Sequence, residues 1–325
     1  MREAEVIARL RRMATAPEAR GLLDDVAVLD GLVITHDSIA EGIHFLSTDP
    51  PASVGWKLVA VNLSDLAAKG ATPRGALLSL TISGRNDWEE HFLSGVEAAC
   101  ESYHLPLIGG DTISLPHGAP RVLGMTAIGH AGSHTPDRAS GKPGDALWVI
   151  GTLGDSAAGL AQLREDSKAV SPLVDIYRRP IPQLGAGQLL APHAHAMMDV
   201  SDGLLLDARR LAEASDCGAE IDLDALPLSD GFIDYRGNGQ GARLFAATAG
   251  DDYALLAALP AELDPSTLSL PDGTTMARVG SLVADGPRIA VVSGGHSIEL
   301  PETLGFEHES NQHRPAPGPP VVDRP

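Results

Sequence analysis

Apolar positions recur at helical spacing through residues 56–73, at Leu58, Val59, Leu63, Leu66 and Ala67, and the run closes with Lys69, Gly70 and Pro73. This pattern predicts an amphipathic helix with Asn62 and Asp65, three residues apart, on one side of it. Asp65 stands among Leu63, Ser64, Leu66 and Ala67, where an ionised carboxylate is costly unless a cation or hydrogen bonds satisfy it; the plain alternative is a solvent-facing edge position. Further helices are predicted in the first twenty residues, over 88–103, from Ala157 onward and over 204–214. Residues 26–29 and 32–35 flank Asp30-Gly31, a two-residue hairpin signal. Other short apolar runs predict strands at 76–82, 106–108, 121–131, 146–150, 219–223 and 253–259. Strands and helices interleave without a strict βαβ repeat, so the predicted class is α+β (mixed α/β), with mixed sheets flanked by helices.

Punctuation divides the chain. Residues 132–143 are rich in Gly, Pro, Ser and Thr and predict a linker. Residues 231–242, with their Gly-Asn-Gly-Gln-Gly, predict a flexible loop, and the proline-rich stretch 309–325 predicts a disordered tail. A length of 325 residues suits two domains, divided here as 1–135 and 136–308. There is no internal repeat.

Charge narrows the partners. With 43 acidic against 24 basic residues the net charge is −19, which argues against nucleic acid and anionic membranes. No apolar run reaches membrane-spanning length, and the N-terminus lacks a signal-peptide core. The two cysteines, Cys100 and Cys217, form no CxxC and fit a reducing cytoplasm.

Aspartates cluster at the ends of apolar runs. Asp24 and Asp25 precede residues 26–29, Asp37 follows 32–35, Asp111 follows Leu107-Ile108-Gly109-Gly110, and Asp199 and Asp202 follow 196–198. Each alone reads as a cap or turn residue, and Ser201 or Asp202 is a natural N-cap for helix 204–214. Together they offer hard oxygen ligands that suit Mg²⁺ with phosphate. Gly109-Gly110 lets backbone N–H groups approach a phosphate, or makes a plain turn. The loop 151–156 lacks the Lys-Ser/Thr of a P-loop.

Eight stretches carry a resemblance: DDVAVL (24–29), HDSIAEGIHF (36–45), AVNLSDLAAKGATP (60–73), LIGGDT (107–112), RASGKPGDALWVIGTLGDSAAGL (138–160), MDVSDGLLLDARRLAEASDCGAEIDLDALPLS (198–229), GDDYALL (250–256) and GFEH (305–308). In this order they resemble the thiamine-monophosphate kinase family, of the superfamily that includes aminoimidazole ribonucleotide synthetase, selenophosphate synthetase and the hydrogenase-maturation dehydratase. The resemblance implies a two-domain aminoimidazole ribonucleotide synthetase-like fold. It implies Mg²⁺-dependent transfer of the ATP γ-phosphoryl onto thiamine monophosphate, and a homodimer whose N-terminal domains join their sheets. It implies metal ligation by Asp24, Thr35, His36, Asp37, Asp65, Asp111, Asp199 and Asp202. ATP would meet Tyr103, Gly110, Asp111, Arg138 and Ser201, and thiamine monophosphate would meet His44, Asp251 and Phe306. An acceptor phosphate is already ionised at neutral pH, so no strong general base is needed, in keeping with the lack of an obvious catalytic His or Lys.

The chain departs from the family pattern at Leu23, at His36, at Ile113-Ser114-Leu115, at Asp251 for the usual Glu, and at Phe306 for the usual Tyr. Two alternatives follow: a sister enzyme of the superfamily with another substrate, or a module that binds Mg·ATP without turnover. The absence of the characteristic N-terminal and C-terminal cysteines disfavours the selenophosphate and hydrogenase-maturation branches.

Overall fold

The computed structural model describes residues 3–84, 86–116, 118–285 and 288–307. The predicted tail at 309–325 lies outside them. After helix α1 (Glu3–Arg11), strands β1 (Ala27–Leu29) and β2 (Leu32–Ala40) pair antiparallel about Asp30 (φ 50°) and Gly31 (φ 78°), the left-handed pair that a tight hairpin turn needs. Helix α2 (Pro51–Ala68), β3 (Thr72–Ile82), α3 (Asn86–Ser102), β4 (Leu107–Ser114) and β5 (Val122–His130) complete the first unit. Its sheet runs β1-β2-β5-β3-β4, with only β3 and β4 parallel.

Three predictions shift here. β2 continues past residue 35 to Ala40, because it pairs along its whole length with β5. The central helix begins at Pro51 and ends at Ala68, and Pro73 lies inside β3. Nor is α2 amphipathic: from Ser53 to Ala68 every residue but Trp56 is buried. Both sides of the helix are covered, by α3, β2 and β5 and, across the chain, by elements of the second unit.

The second unit contains β6 (Ala146–Ile150), α4 (Asp155–Glu165), α5 (Pro172–Arg178), α6 (Leu184–Leu190), β7 (Ala196–Val200), α7 (Leu204–Ala214), β8 (Gly218–Asp222), α8 (Asp230–Arg236), α9 (Gln240–Ala249), β9 (Ala254–Leu259), β10 (Met276–Val283), β11 (Ala290–Ser293) and β12 (His296–Ser297). Its sheet runs β12-β11-β8-β10-β6-β9-β7 and is also mixed, with β8 and β11 parallel. Helix α7 and β7 bury Met198, Val200, Leu204, Leu205, Ala208 and Leu211 in one core. The predicted flexible loop at 231–242 is instead α8, a glycine turn and the start of α9. Ser229 caps α8 by accepting from Phe232 N at 3.0 Å, and the fully buried Phe232 stacks on Phe245. The glycine run masked two ordinary helices.

The units meet along α2. Its C-terminal end lies so near α6 that a Cβ on Gly187 would stand 2.0 Å from the Ala67 carbonyl oxygen. The two helices therefore touch backbone to backbone there. On the far side of the first sheet, all eight residues of edge strand β4 are exposed, including Leu107, Ile108 and Ile113. No helix among the described residues is long and apolar enough to cross a membrane.

Candidate active site

Three carboxylates converge where the units meet: Asp25 just before β1, Asp65 on α2 and Asp199 near the end of β7. One oxygen of each lies within 4.8 Å of the others. Asp65 is 5% and Asp199 3% exposed, so the solvent-facing reading of Asp65 does not hold. The chain builds the site with short polar arms. Ser64, on the neighbouring side of α2, donates to Asp199 Oδ2 at 2.8 Å. Thr35 Oγ1 donates to the Asp65 carboxylate. Asn62, three residues before Asp65, accepts from the Asp37 backbone N–H at 2.9 Å and so fixes β2 against the helix.

Electrostatics make the site receptive to a cation. Burial, then the charges of Asp37, Asp199 and Asp25, push the Asp65 carboxyl well above the usual range. Burial and Asp25 do the same to Asp199 against the Ser64 hydrogen bond. Asp37 is raised to about 6 by burial and by the charges of Asp25 and Asp202. Burial opposes ionisation of Asp25 too, but Arg138 and Lys69 outweigh it and hold that carboxyl low. Asp25 Oδ2 is buried with no hydrogen-bond partner. Hard, repelling, partly orphaned carboxylate oxygens at this spacing fit a divalent cation such as Mg²⁺.

The structure redistributes the expected ligands. Asp24 is turned away from the cluster and fully buried, its oxygens taken by Arg20 at 2.6 Å and Lys69 at 2.5 Å; its neighbour Asp25 faces the other carboxylates. His36 alternates with Thr35 and Asp37 along β2 and therefore emerges on the opposite, exposed face, where its Nδ1 lies 2.9 Å from Thr126 Oγ1. An imidazole at that position does not reach the cluster. Asp111 is also apart. Asp37, Met125, Leu78 and Gly110 form one row across the sheet, so β4 stands three strand spacings from β2, about 14 Å. Gly110 answers to packing: a Cβ there would lie 2.0 Å from the Leu78 carbonyl oxygen.

Asp202 is held by Arg210 at 2.5 Å and precedes α7 without capping it; the N-cap is Gly203 at φ 117°, with no side-chain bond. Arg138, on a single 3-10 turn at Arg138–Ser140, pairs with Asp25. Tyr103 meets Trp56 edge-on at 5.7 Å between ring centres, away from the acid cluster in the hydrophobic core of the first unit. His44 Nδ1 accepts from Ala40 N at 3.1 Å. Two of the expected acceptor contacts hang on adjacent carbonyls. Asp251 N donates to Ser201 O at 2.6 Å, and Phe306 N donates to Asp202 O at 2.8 Å.

Two further buried charges border the site, Asp207 and Lys57, which no sequence motif marks. Asp207 is fully buried behind Asp202, accepts from its N–H at 3.0 Å, and is raised to about 7 by burial and by the Asp202 charge. Lys57, buried in α2, donates to Asp251 Oδ2 at 2.6 Å. A lysine inside a run as apolar as 54–61 was the available signal for it.

Comparison with known proteins agrees with this architecture. Residues 23–131 match the N-terminal domain, and residues 142–290 the C-terminal domain, of the AIR synthase related proteins. The thiamine-monophosphate kinase of Salmonella typhimurium is 37% identical across 89% of this chain and 91% of its own length. That of Caulobacter vibrioides is 36% identical across 94% and 90%. Among solved structures, AaThiL complexed with AMPPCP and TMP superposes with a TM-score of 0.82 at 30% identity, covering 95% of this chain and 97% of that one. The thiamine-monophosphate kinase from Stenotrophomonas maltophilia K279a gives 0.71 at 34% identity, covering 90% and 96%. By matched domains, identity and coverage together, the chain belongs to the thiamine-monophosphate kinase family of AIR synthase related proteins.

Proposed function

We propose that this chain is an ATP-dependent thiamine-monophosphate kinase, moving the γ-phosphoryl of ATP onto the phosphate of thiamine monophosphate to give thiamine diphosphate and ADP. The carrying observation is the buried convergence of Asp25, Asp65 and Asp199, contributed by both units of a fold shared with AaThiL. The reaction brings two anions together, and its difficulty is charge rather than proton abstraction. Asp25, Asp37, Asp65 and Asp199, with Asp202 at the rim, would hold Mg²⁺. Bound there, the ion would neutralise phosphate oxygens and orient them for in-line transfer.

The remaining assignments concern the chain's own side chains. Thr35 and Ser64 orient the Asp65 and Asp199 oxygens. Arg138 places a guanidinium beside Asp25, where the nucleotide phosphates would lie, with Ser201 as the further ATP contact on this side; Tyr103, Gly110 and Asp111 stand too far from the cluster to share it. His44, Asp251 and Phe306 take the thiamine portion. Asp24 serves the scaffold through Lys69 and Arg20, and His36 serves the outer sheet face. The protein works as a homodimer joined through that face and the exposed β4 edge. It resides in the cytoplasm, in keeping with two unpaired cysteines.

The test is chromatographic. Purified protein with Mg²⁺, ATP and thiamine monophosphate should form thiamine diphosphate and ADP in equal amounts. Mg·ATP binding with no ADP formed on adding thiamine monophosphate would point to a non-catalytic module instead.

A further inference from the structure

Helix α2 carries a charged stripe through a buried interior. Lys57, Val61 and Asp65 stand four residues apart along the helix, a row that drifts slowly around it, and Lys69 follows as its C-cap. Asp65 enters the acid cluster and Lys69 holds Asp24. Lys57 lies eight residues before Asp65, about 12 Å along the axis, and has no part in the cluster. Its side chain is 2% exposed, with Nζ 2.6 Å from Asp251 Oδ2 and 4.3 Å above the Tyr177 ring.

Asp251 sits in a forced piece of chain. Gly250, Asp251 and Tyr253 all have positive φ, at 75°, 66° and 54°. For the two non-glycine residues this costs on the order of 1–3 kcal/mol each and persists only where surroundings over-determine it. The surroundings are visible: Asp251 N on Ser201 O, Tyr253 N on Val200 O at 2.9 Å, and the Asp252 carboxylate on Gly154 N. All of these come from the second unit, whereas Lys57 reaches Asp251 from the first. Ser156 Oγ donates to the same Asp251 Oδ2 at 2.6 Å, and the Tyr253 side chain also bonds this carboxylate, so Asp251 is held from three sides. A buried ammonium is an expensive way to fill space, and an apolar side chain of similar length would serve packing as well.

We propose that Lys57 is a positioning residue for the acceptor: by gripping Asp251 Oδ2 from the helix that also carries Asp65, it holds the partly exposed Asp251 carboxylate at a fixed reach from the phosphoryl-transfer centre, where it meets the thiamine portion. This rests on the thiamine-monophosphate kinase reading. It makes α2 a ruler between the two ends of the acceptor, and it assigns Lys57 to acceptor affinity rather than to handling of ATP.

The test combines Lys57→Met, Asp251→Asn and the double variant. Steady-state constants for both substrates are measured, together with calorimetric binding of thiamine monophosphate in the presence of Mg²⁺ and AMPPCP. Lys57→Met should raise the KM and Kd for thiamine monophosphate about tenfold, the loss expected for one charged hydrogen bond, and leave the KM for ATP within about twofold. In the Asp251→Asn background the same change should add little, because the lysine acts through that carboxylate. Parallel rises in both KM values, or independent effects of the two substitutions, would overturn the proposal. If Lys57→Met does not fold, Ser156→Ala removes the companion bond to Oδ2. It should raise only the KM for thiamine monophosphate, and an unchanged value counts against the proposal. Wild-type protein that binds no thiamine monophosphate defeats the functional reading; wild-type binding retained by Lys57→Met defeats only the role of Lys57.

Discussion

Lys69 Nζ lies 2.5 Å from Asp24 Oδ1, and neither side chain reaches solvent. Beside it, Asp25 turns the other way into the acid cluster. Adjacent aspartates thus have different tasks, and their substitutions should separate. Asp24→Asn breaks a buried pair, with an expected loss of about 3–5 kcal/mol of stability. It should lower the melting temperature of the metal-free protein and keep the further rise given by Mg·AMPPCP. Asp25→Asn should abolish that rise. Equal loss of the ligand-induced rise in both variants would contradict the division.

Asp65→Asn should abolish turnover while the protein stays folded, since asparagine keeps the shape and removes one of several repelling charges. The check is product formation alongside a melting curve. Turnover within a few-fold of wild type would return Asp65 to a structural role.

The raised carboxyls give stability a definite pH dependence. Asp37 (about 6) and Asp207 (about 7) keep protons in the folded state that the unfolded chain releases near pH 4. The folded state binds more protons across that window, so metal-free stability falls as pH rises from about 4 to 7. Asp25, held low, acts in the opposite direction but below about pH 4, where the unfolded carboxyl titrates. Melting in EDTA across this range should show the fall. Asp37→Asn, which cannot ionise, should flatten it, and a profile as steep as wild type would exclude Asp37 as a source.

Phe306 is fixed by its N–H to the Asp202 carbonyl, beside the carbonyl that holds Asp251. A ring stacked on a cationic thiazolium contributes roughly 0.5–2 kcal/mol, so Phe306→Ala should raise the KM for thiamine monophosphate about 2- to 30-fold. The KM for ATP should stay put. If the two constants move together, the ring serves the fold.

The edge strand offers a separate test. β4 exposes Ile108 (59%) and Ile113 (54%) with no strand beyond it among the described residues, a surface that invites pairing. Light scattering should give a dimeric mass for the wild type and a halved mass for Ile113→Lys. A monomeric wild type would remove the dimer from the proposal.

Some of this was legible in the residues. Asp30-Gly31 announced the hairpin, since its turn needs two positive φ values, and the periodic run at 204–214 gave α7 to the residue. Asp65 was visible as a charge in apolar company. Other features depend on partners distant in sequence. Whether Asp24 or Asp25 faces the cluster is decided by Lys69 and Arg20, which claim Asp24. The length of β2 is set by β5, some ninety residues on, and with it the fact that His36 faces outward. Strand alternation alone would have revealed His36 had the strand been read as reaching residue 40. Lys57 stood out only as a charge in an apolar run, and its task stayed hidden because Asp251 meets it only after the two units pack.

The contact of Gly187 with Ala67 acts as a rivet. With no side chain between them, the two helices cannot slide or part there without losing close packing along α2 and α6. Ten residues earlier, about 15 Å along the axis, Lys57 holds Asp251 and its neighbour Trp56 donates to the Pro180 carbonyl at 3.2 Å, a second rivet at the opposite end. A beam fastened at both ends keeps what it carries in place: Asp65 lies between the two fastenings, and its separation from Asp199 is set by the frame rather than by any loop.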